Sequence, residues 1–269
     1  MRIALVDSGI GMLSTAAALR AARPDADLFL SMDPDHMPWG THTPEQIIDR
    51  ALAGARVALD TAGSLDAVAV PCNTASVHSL VRLRAELEPR IPVIGTVPAI
   101  KPAAAAGTPI AVWSTEATTR SAYQRRLVET FARDVSVTPV ACRGLAEAVE
   151  SADPELIAEA VAYAAALTPP EVTGVVLGCT HYDLVGEEIS KALSGRAELF
   201  TAARAVATQT LRRIDQAAGA VEVSGATGAA GTRAVEGTSG KVTVLTSGRP
   251  AELPRAALSY PAGRSLLNR

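Results

Sequence analysis

Cysteine is scarce in this chain, with three among 269 residues. An odd number at wide spacing excludes a disulfide framework and predicts free thiols in a reducing compartment. No Cys-x-x-Cys pair occurs, and Cys179 and His181 stand only two residues apart, so a zinc site built from Cys72, Cys179 and His181 is disfavoured and no metal is expected. Long apolar runs are also missing. The N-terminal Met1-Arg2-Ile3-Ala4-Leu5-Val6-Asp7 lacks a signal peptide's apolar stretch, and no run of about 18 or more apolar residues follows. A cytoplasmic protein with no membrane partner is expected. Positive charge is short too: the formal net charge is −3, which argues against a nucleic-acid partner held through phosphates. The turn Asp7-Ser8-Gly9-Ile10-Gly11 lacks the third glycine of a dinucleotide fingerprint, so no nicotinamide cofactor is expected.

What the chain does have is an interior. Its 48% hydrophobic content suffices for one large α/β domain or two of ordinary size. One short pattern occurs twice, as Val68-Ala69-Val70-Pro71-Cys72-Asn73-Thr74 and as Val175-Val176-Leu177-Gly178-Cys179-Thr180-His181. Each is a run of aliphatic residues long enough for one buried strand, then a turn residue, then a cysteine beside small polar groups. Ligands of α/β sheets bind just past the carboxyl ends of strands, so both thiols fall at binding positions.

Strands and helices alternate around this repeat. Strands are predicted at 2–6, 28–32, 68–70, 92–95, 110–115, 135–141, 175–177, 198–200 and 241–246. Helices are predicted from the Gly11 turn to about 22, then at 43–62, 76–87, 118–133, 153–167, 187–193 and 250–258; Thr43, Pro44 and Gln46 mark the second with an N-cap and capping box. Such alternation predicts mainly parallel sheets flanked by helices. Two cycles predict two pseudo-symmetric domains, 1–96 and 97–207, with 208–269 returning to the first and a site in the cleft between them. The stretch 219–240 is almost entirely Gly, Ala, Ser, Thr and a few charges, which predicts a flexible surface loop.

If the two domains face each other, a substrate between them meets one thiol on each side. One base then removes a proton from a carbon while the other returns a proton to the opposite face, which is racemisation or epimerisation. Each thiol must alternate between thiolate and thiol, so nearby groups must tune it; Asp7 and His181 are the candidates. The developing carbanion needs hydrogen bonds from loop amides and from hydroxyls such as Ser8, Thr74 and Thr180.

These residues resemble a known family, the glutamate racemases of the cofactor-independent aspartate/glutamate racemase superfamily. The resemblance runs over roughly 3–214 and is carried by Asp7-Ser8-Gly9-Ile10-Gly11, Pro38-Trp39-Gly40, Cys72-Asn73-Thr74-Ala75-Ser76, Thr115 with Thr118, and Gly178-Cys179-Thr180-His181-Tyr182. It implies interconversion of L- and D-glutamate for cell-wall synthesis, with Cys72 and Cys179 as the catalytic pair and Asp7 and His181 assisting. It also implies that Ser8, Asn73, Thr74 and Thr180 hold the amino acid and that Glu150 matches a glutamate near the site. Pro38, Trp39, Gly40, Thr115 and Thr118 complete the expected substrate contacts; a homodimer is left open.

The chain departs from the family's pattern at Met12 (usually glycine), Trp39 (usually tyrosine) and Arg143 (usually proline). Met12 and Trp39 predict a smaller, less polar rim and weaker use of glutamate. Plainer readings stand beside the chemical ones. Cys142 reads as a core thiol, Asp7 as a helix cap, Thr115 and Thr118 as a helix start, Trp39 as packing, and His36, His42 and His78 as loop or surface residues. Alternatives to glutamate racemisation are a racemase of a related amino acid, a decarboxylase or lyase needing one thiol, and a non-catalytic regulator that binds an acidic amino acid.

Overall fold

The computed structural model describes residues 1–224 and 239–267. Most of the expected loop at 219–240 lies outside them. Its first residues, however, end a long helix.

The strands form two sheets. The first, ordered β10-β9-β2-β1-β3-β4, contains β1 (Arg2–Asp7), β2 (Asp27–Met32), β3 (Ala67–Val70), β4 (Val93–Gly95), β9 (Val242–Thr246) and β10 (Arg249–Ala251). The second, ordered β6-β5-β7-β8, contains β5 (Ile110–Ser114), β6 (Val137–Ala141), β7 (Gly174–Leu177) and β8 (Glu198–Phe200). All pairings are parallel except β9 with β10. The helices are α1 (Leu13–Ala22), α2 (Pro44–Ala62), α3 (Asn73–Leu87), α4 (Ile100–Ala104), α5 (Glu116–Arg120), α6 (Ala122–Phe131), α7 (Leu145–Ser151), α8 (Pro154–Ala166), α9 (Gly186–Ala192), α10 (Ala203–Ser224) and α11 (Pro261–Arg264).

Parallel strands covered on both faces read as near-continuous apolar runs, and these do. Ile3 and Leu5 of β1 point into a core shared with Trp113, Val175 and Leu177 of the second sheet. Ala4 and Val6 point the other way, against Ile47, Ala51 and Ala55 of α2 and Ala75 and Leu83 of α3. One apolar core is therefore continuous from the first sheet to the second, which fixes the strand ends of one sheet relative to those of the other. The Thr43–Gln46 capping box is present, with both reciprocal hydrogen bonds made.

Several local expectations need correction. The helix expected at 118–133 is two, because Ser121 ends α5 and caps α6, its hydroxyl accepting from the Gln124 amide at 3.1 Å. The helix expected at 250–258 is instead the edge strand β10 followed by a 3-10 turn, Arg255–Ser259. Pro250 is tolerated on an edge strand, while Pro254 cannot sit inside a helix. Pro139 on edge strand β6 obeys the same rule. Helices α4, α7, α10 and α11 have no counterpart in the sequence reading.

Candidate active site

The carboxyl ends of both sheets open onto one cavity of about 270 Å³. Asp7 ends β1 and Ser8 follows it; Cys72 follows β3 after Pro71 and immediately precedes α3. From the second sheet, Thr115 follows β5, Cys142 follows β6, and Cys179 follows β7 after Gly178. The turn Pro38-Trp39-Gly40 supplies another wall. Asp7, Ser8, Pro38, Trp39, Gly40, Cys72, Asn73, Thr74, Thr115, Thr118, Cys179, Thr180 and His181 all line this cavity. Glu150 lies outside the lining, behind His181, with its carboxylate 2.8 Å from His181 Nε2 and accepting from the Ile10 amide at 2.9 Å.

Each thiol has its own partners. His181 Nδ1 stands 3.8 Å from Cys179 Sγ, so Cys179, His181 and Glu150 form a relay in which the carboxylate orients the imidazole towards the sulfur. Burial pushes the His181 imidazole down, but hydrogen bonding to Cys179 and Glu150 outweighs it and holds the ring well above its ordinary range. On the other side, Cys72 sits beside Asp7 at the amino end of α3. Burial drives this thiol well above its ordinary value and the Asp7 charge adds to that, while the Ala75 and Ser8 amides pull the other way. Asp7 itself is 1% exposed, and burial raises it to about 6 against the opposing charge of His181.

Close approach explains two glycines. A Cβ on Gly11 would lie 2.5 Å from Thr180 Oγ1 and 2.6 Å from His181 Nδ1, and one on Gly9 would overlap the Glu150 carboxylate. The glycine turn after β1 therefore lets the two halves of the site meet. They meet again where Asn73 Nδ2 donates to the Gly178 carbonyl at 2.9 Å and where Thr180 Oγ1 donates to Asp7 Oδ2 at 3.4 Å.

The plainer readings divide. Asp7 caps no helix, since its carboxylate accepts from the next residue, the Ser8 amide, at 2.7 Å. Thr115 does cap α5 and also lines the cavity. Cys142 belongs to the shared core and borders the cavity, its thiol pushed up by burial. Trp39 is 1% exposed, and its indole N–H is taken by Asp33 Oδ2 at 3.0 Å, so it offers the cavity a flat apolar face and no donor. Met12 is fully buried in the core and absent from the lining, so it does not narrow the rim as expected. Lining residues that the sequence did not single out include Glu116 and Glu147; Arg143, also in the lining, donates to Glu116 at 3.1 Å. Among the described residues no cluster of His, Cys, Asp and Glu is arranged to hold a metal, and no helix is long and apolar enough to cross a membrane.

Known proteins resemble this chain in sequence and in fold. A model of the Asp/Glu/hydantoin racemases matches residues 10–210. The glutamate racemase of Herpetosiphon aurantiacus is 33% identical over 258 residues, covering 94% of this chain and 95% of that protein. The glutamate racemase of Proteus mirabilis is 34% identical over 82% of this chain and 80% of its own length. Among solved structures, the Escherichia coli glutamate racemase in complex with L-glutamate and the activator UDP-MurNAc-Ala superposes with a TM-score of 0.77 at 26% identity, covering 96% of this chain and 91% of that one. With its strand-end thiols facing one cavity and its length matched nearly throughout, the chain belongs to the Asp/Glu/hydantoin racemase family.

Proposed function

We propose that this chain is a cofactor-independent, PLP-independent isomerase that interconverts L- and D-glutamate in the cytoplasm, supplying D-glutamate for the cell wall by two-base proton transfer through Cys72 and Cys179. The observation that carries this reading is the pair of thiols, each just past the end of a β-strand, in the lining of a single cavity. Their unlike partners support it further: a carboxyl beside one, an imidazole and carboxylate relay beside the other.

By the family's pattern, Cys179 as thiolate takes the α-proton of L-glutamate and Cys72 as thiol returns a proton to the opposite face. The reverse direction exchanges their roles. His181 stabilises the Cys179 thiolate as a charged donor at Sγ, and Glu150 keeps the imidazole oriented. Asp7 takes up or releases the proton that Cys72 must exchange. Carbanion charge spreads into the substrate's α-carboxylate, for which the Thr74 hydroxyl at the cavity wall is a donor, joined by the Thr180 hydroxyl when it turns from Asp7 to the substrate. Ser8, Asn73, Thr115 and Thr118 hold the rest of the amino acid, and Pro38, Trp39 and Gly40 form its apolar wall.

The same reading treats the chain as two domains. Strand β9 pairs with β2, which supports returning the C-terminal segment to the first domain. The packing of α10 on α1, β3 and β4 supports assigning the chain after 207 to the first domain.

The test is α-proton exchange in deuterated water on single-enantiomer glutamate. The wild-type protein should wash deuterium into Cα and racemise, whereas a lyase would make a new compound and a binder would do neither. Cys72→Ser and Cys179→Ser should each lower turnover about a hundredfold or more in both directions, the scale for losing a positioned acid or base. Near-normal rates in either variant would rule out the two-base scheme.

A further inference from the structure

Asp33, the residue after β2, gathers donors from three parts of the first domain. Its Oδ1 accepts from His36 Nδ1 at 2.9 Å and from the Ser247 hydroxyl at 2.8 Å; its Oδ2 accepts from Trp39 Nε1 at 3.0 Å and from an Arg50 guanidinium nitrogen at 3.3 Å. His36 and Trp39 belong to the loop that walls the substrate cavity, Arg50 to α2, and Ser247 to the turn between β9 and β10. The Asp33 amide also donates to the Ser8 carbonyl at 3.2 Å. With 13% of its side chain exposed, this carboxylate is largely withdrawn from water yet amply paired.

A second cavity, of about 160 Å³, is bordered by Asp7, Asp33, Trp39, Arg50 and Ser247. Trp39 and Asp7 border both this space and the substrate cavity. The indole packs in the apolar core that includes Ile47 and Ala51 of α2, which buries it, while its hydrogen bond to Asp33 fixes how the ring is turned between the two cavities.

We infer that Asp33 is a positioning residue for racemisation: it anchors the Trp39 indole as the fixed partition of the substrate cavity and ties that wall, through Ser247, to the turn between β9 and β10. The inference rests on the glutamate racemase reading. Without the anchor the indole can turn towards this second cavity, which loosens the wall against which the substrate's carbon chain lies. The thiols and their partners stay in place, so substrate binding suffers and the proton transfers do not.

Two readouts test it. In a Trp113→Phe background, where Trp39 is the only tryptophan of the chain, Asp33→Ala, which leaves no acceptor for the indole N–H, should add a fast component to the fluorescence anisotropy decay of the ligand-free protein. In the native background, Asp33→Ala should raise KM for glutamate about tenfold, the scale of one or two lost pocket contacts, with kcat within about threefold of wild type. Ser247→Ala, which leaves the other donors in place, should move KM in the same direction by less and serves if Asp33→Ala does not fold. Combined with Trp39→Phe, which has no N–H to anchor, Asp33→Ala should change KM by no more than about twofold. An unchanged decay overturns the inference whether or not the protein racemises glutamate, and so does a variant that loses stability while keeping the wild-type KM. Absence of glutamate racemisation in the wild type would instead overturn the functional reading and leave the decay to decide the anchor.

Discussion

At the scale of single residues, the chemistry turns on groups whose burial sets their charge. Asp7 has a native carboxyl at about 6 against an ordinary 3.8. The folded protein therefore holds a proton that the unfolded chain releases between these values. That contribution to stability is fully present below about pH 3.8 and is lost as pH rises through 6. The difference corresponds to about 3 kcal/mol. Asp7→Asn keeps the shape and does not titrate, so its unfolding free energy relative to wild type should rise by up to about 3 kcal/mol from about pH 3.5 to 7.5, measured by urea unfolding. If Asp7 must be ionised to accept a proton from Cys72, wild-type kcat/KM should fall below about pH 6, and that limb should vanish from the slower Asp7→Asn enzyme. An identical acid limb in both proteins would assign it to another group. The two thiols and Asp7 were legible in the sequence because each stands within two residues of a strand end, and His181 because it stands two residues from Cys179. Asp33 was not, since its partners come from 36, 39, 50 and 247, and nothing local announces their convergence.

At the scale of elements, the turn from β1 into α1 is the tightest part of the site. Gly9 and Gly11 are placed so that Glu150, Thr180 and His181 come within contact of the backbone. Gly11→Ala puts a methyl against the Thr180 hydroxyl and the His181 ring, both of which hold other partners. It should destabilise the fold by about 1–3 kcal/mol, the usual cost of overpacking. It should also lower kcat at least tenfold by moving His181 off Cys179, the scale set by small misplacements at a reacting centre. Thermal unfolding and the exchange assay measure the two effects, and a fully active Gly11→Ala protein would show that the approach is looser than its geometry. Element boundaries were legible where side chains mark them, as with Thr43 and Gln46 at α2. They were missed where the decisive fact is tertiary. Helix α10 went unread although Ala203, Val206, Ala207, Thr210 and Ile214 are buried at helical spacing; three of these five are Ala or Thr, and the helix is held by packing on α1, β3 and β4.

At the scale of the molecule, the two sheets are joined by a shared core and by few polar ties across the cleft, which is where substrate must enter. Asn73 is one such tie: it opens α3, is 8% exposed, and donates to the Gly178 carbonyl next to Cys179. Its buried amide oxygen has no hydrogen-bond partner among the described residues, and Asn73 lines the cavity, so under the proposed function this oxygen is the acceptor for a donor on the substrate. On that proposal Asn73 serves both states, holding the halves in register when the site is empty and adding a contact when it is filled. Asn73→Ala strands the Gly178 carbonyl, and the unfolding free energy should fall by about 1–3 kcal/mol. Saturating D-glutamate should restore less stability than it gives the wild type, because ligand stabilisation follows RT ln(1 + [L]/Kd) and the variant's Kd is weaker. At a ligand concentration of about 100 times the wild-type Kd, the wild type gains about 2.7 kcal/mol. A tenfold weaker Kd leaves the variant about 1.4 kcal/mol short of that gain. Urea unfolding of both proteins with and without D-glutamate reads the two quantities separately. Equal stability without ligand would mean that Asn73 does not tie the sheets, and an equal gain with ligand would mean that its amide oxygen faces no substrate donor.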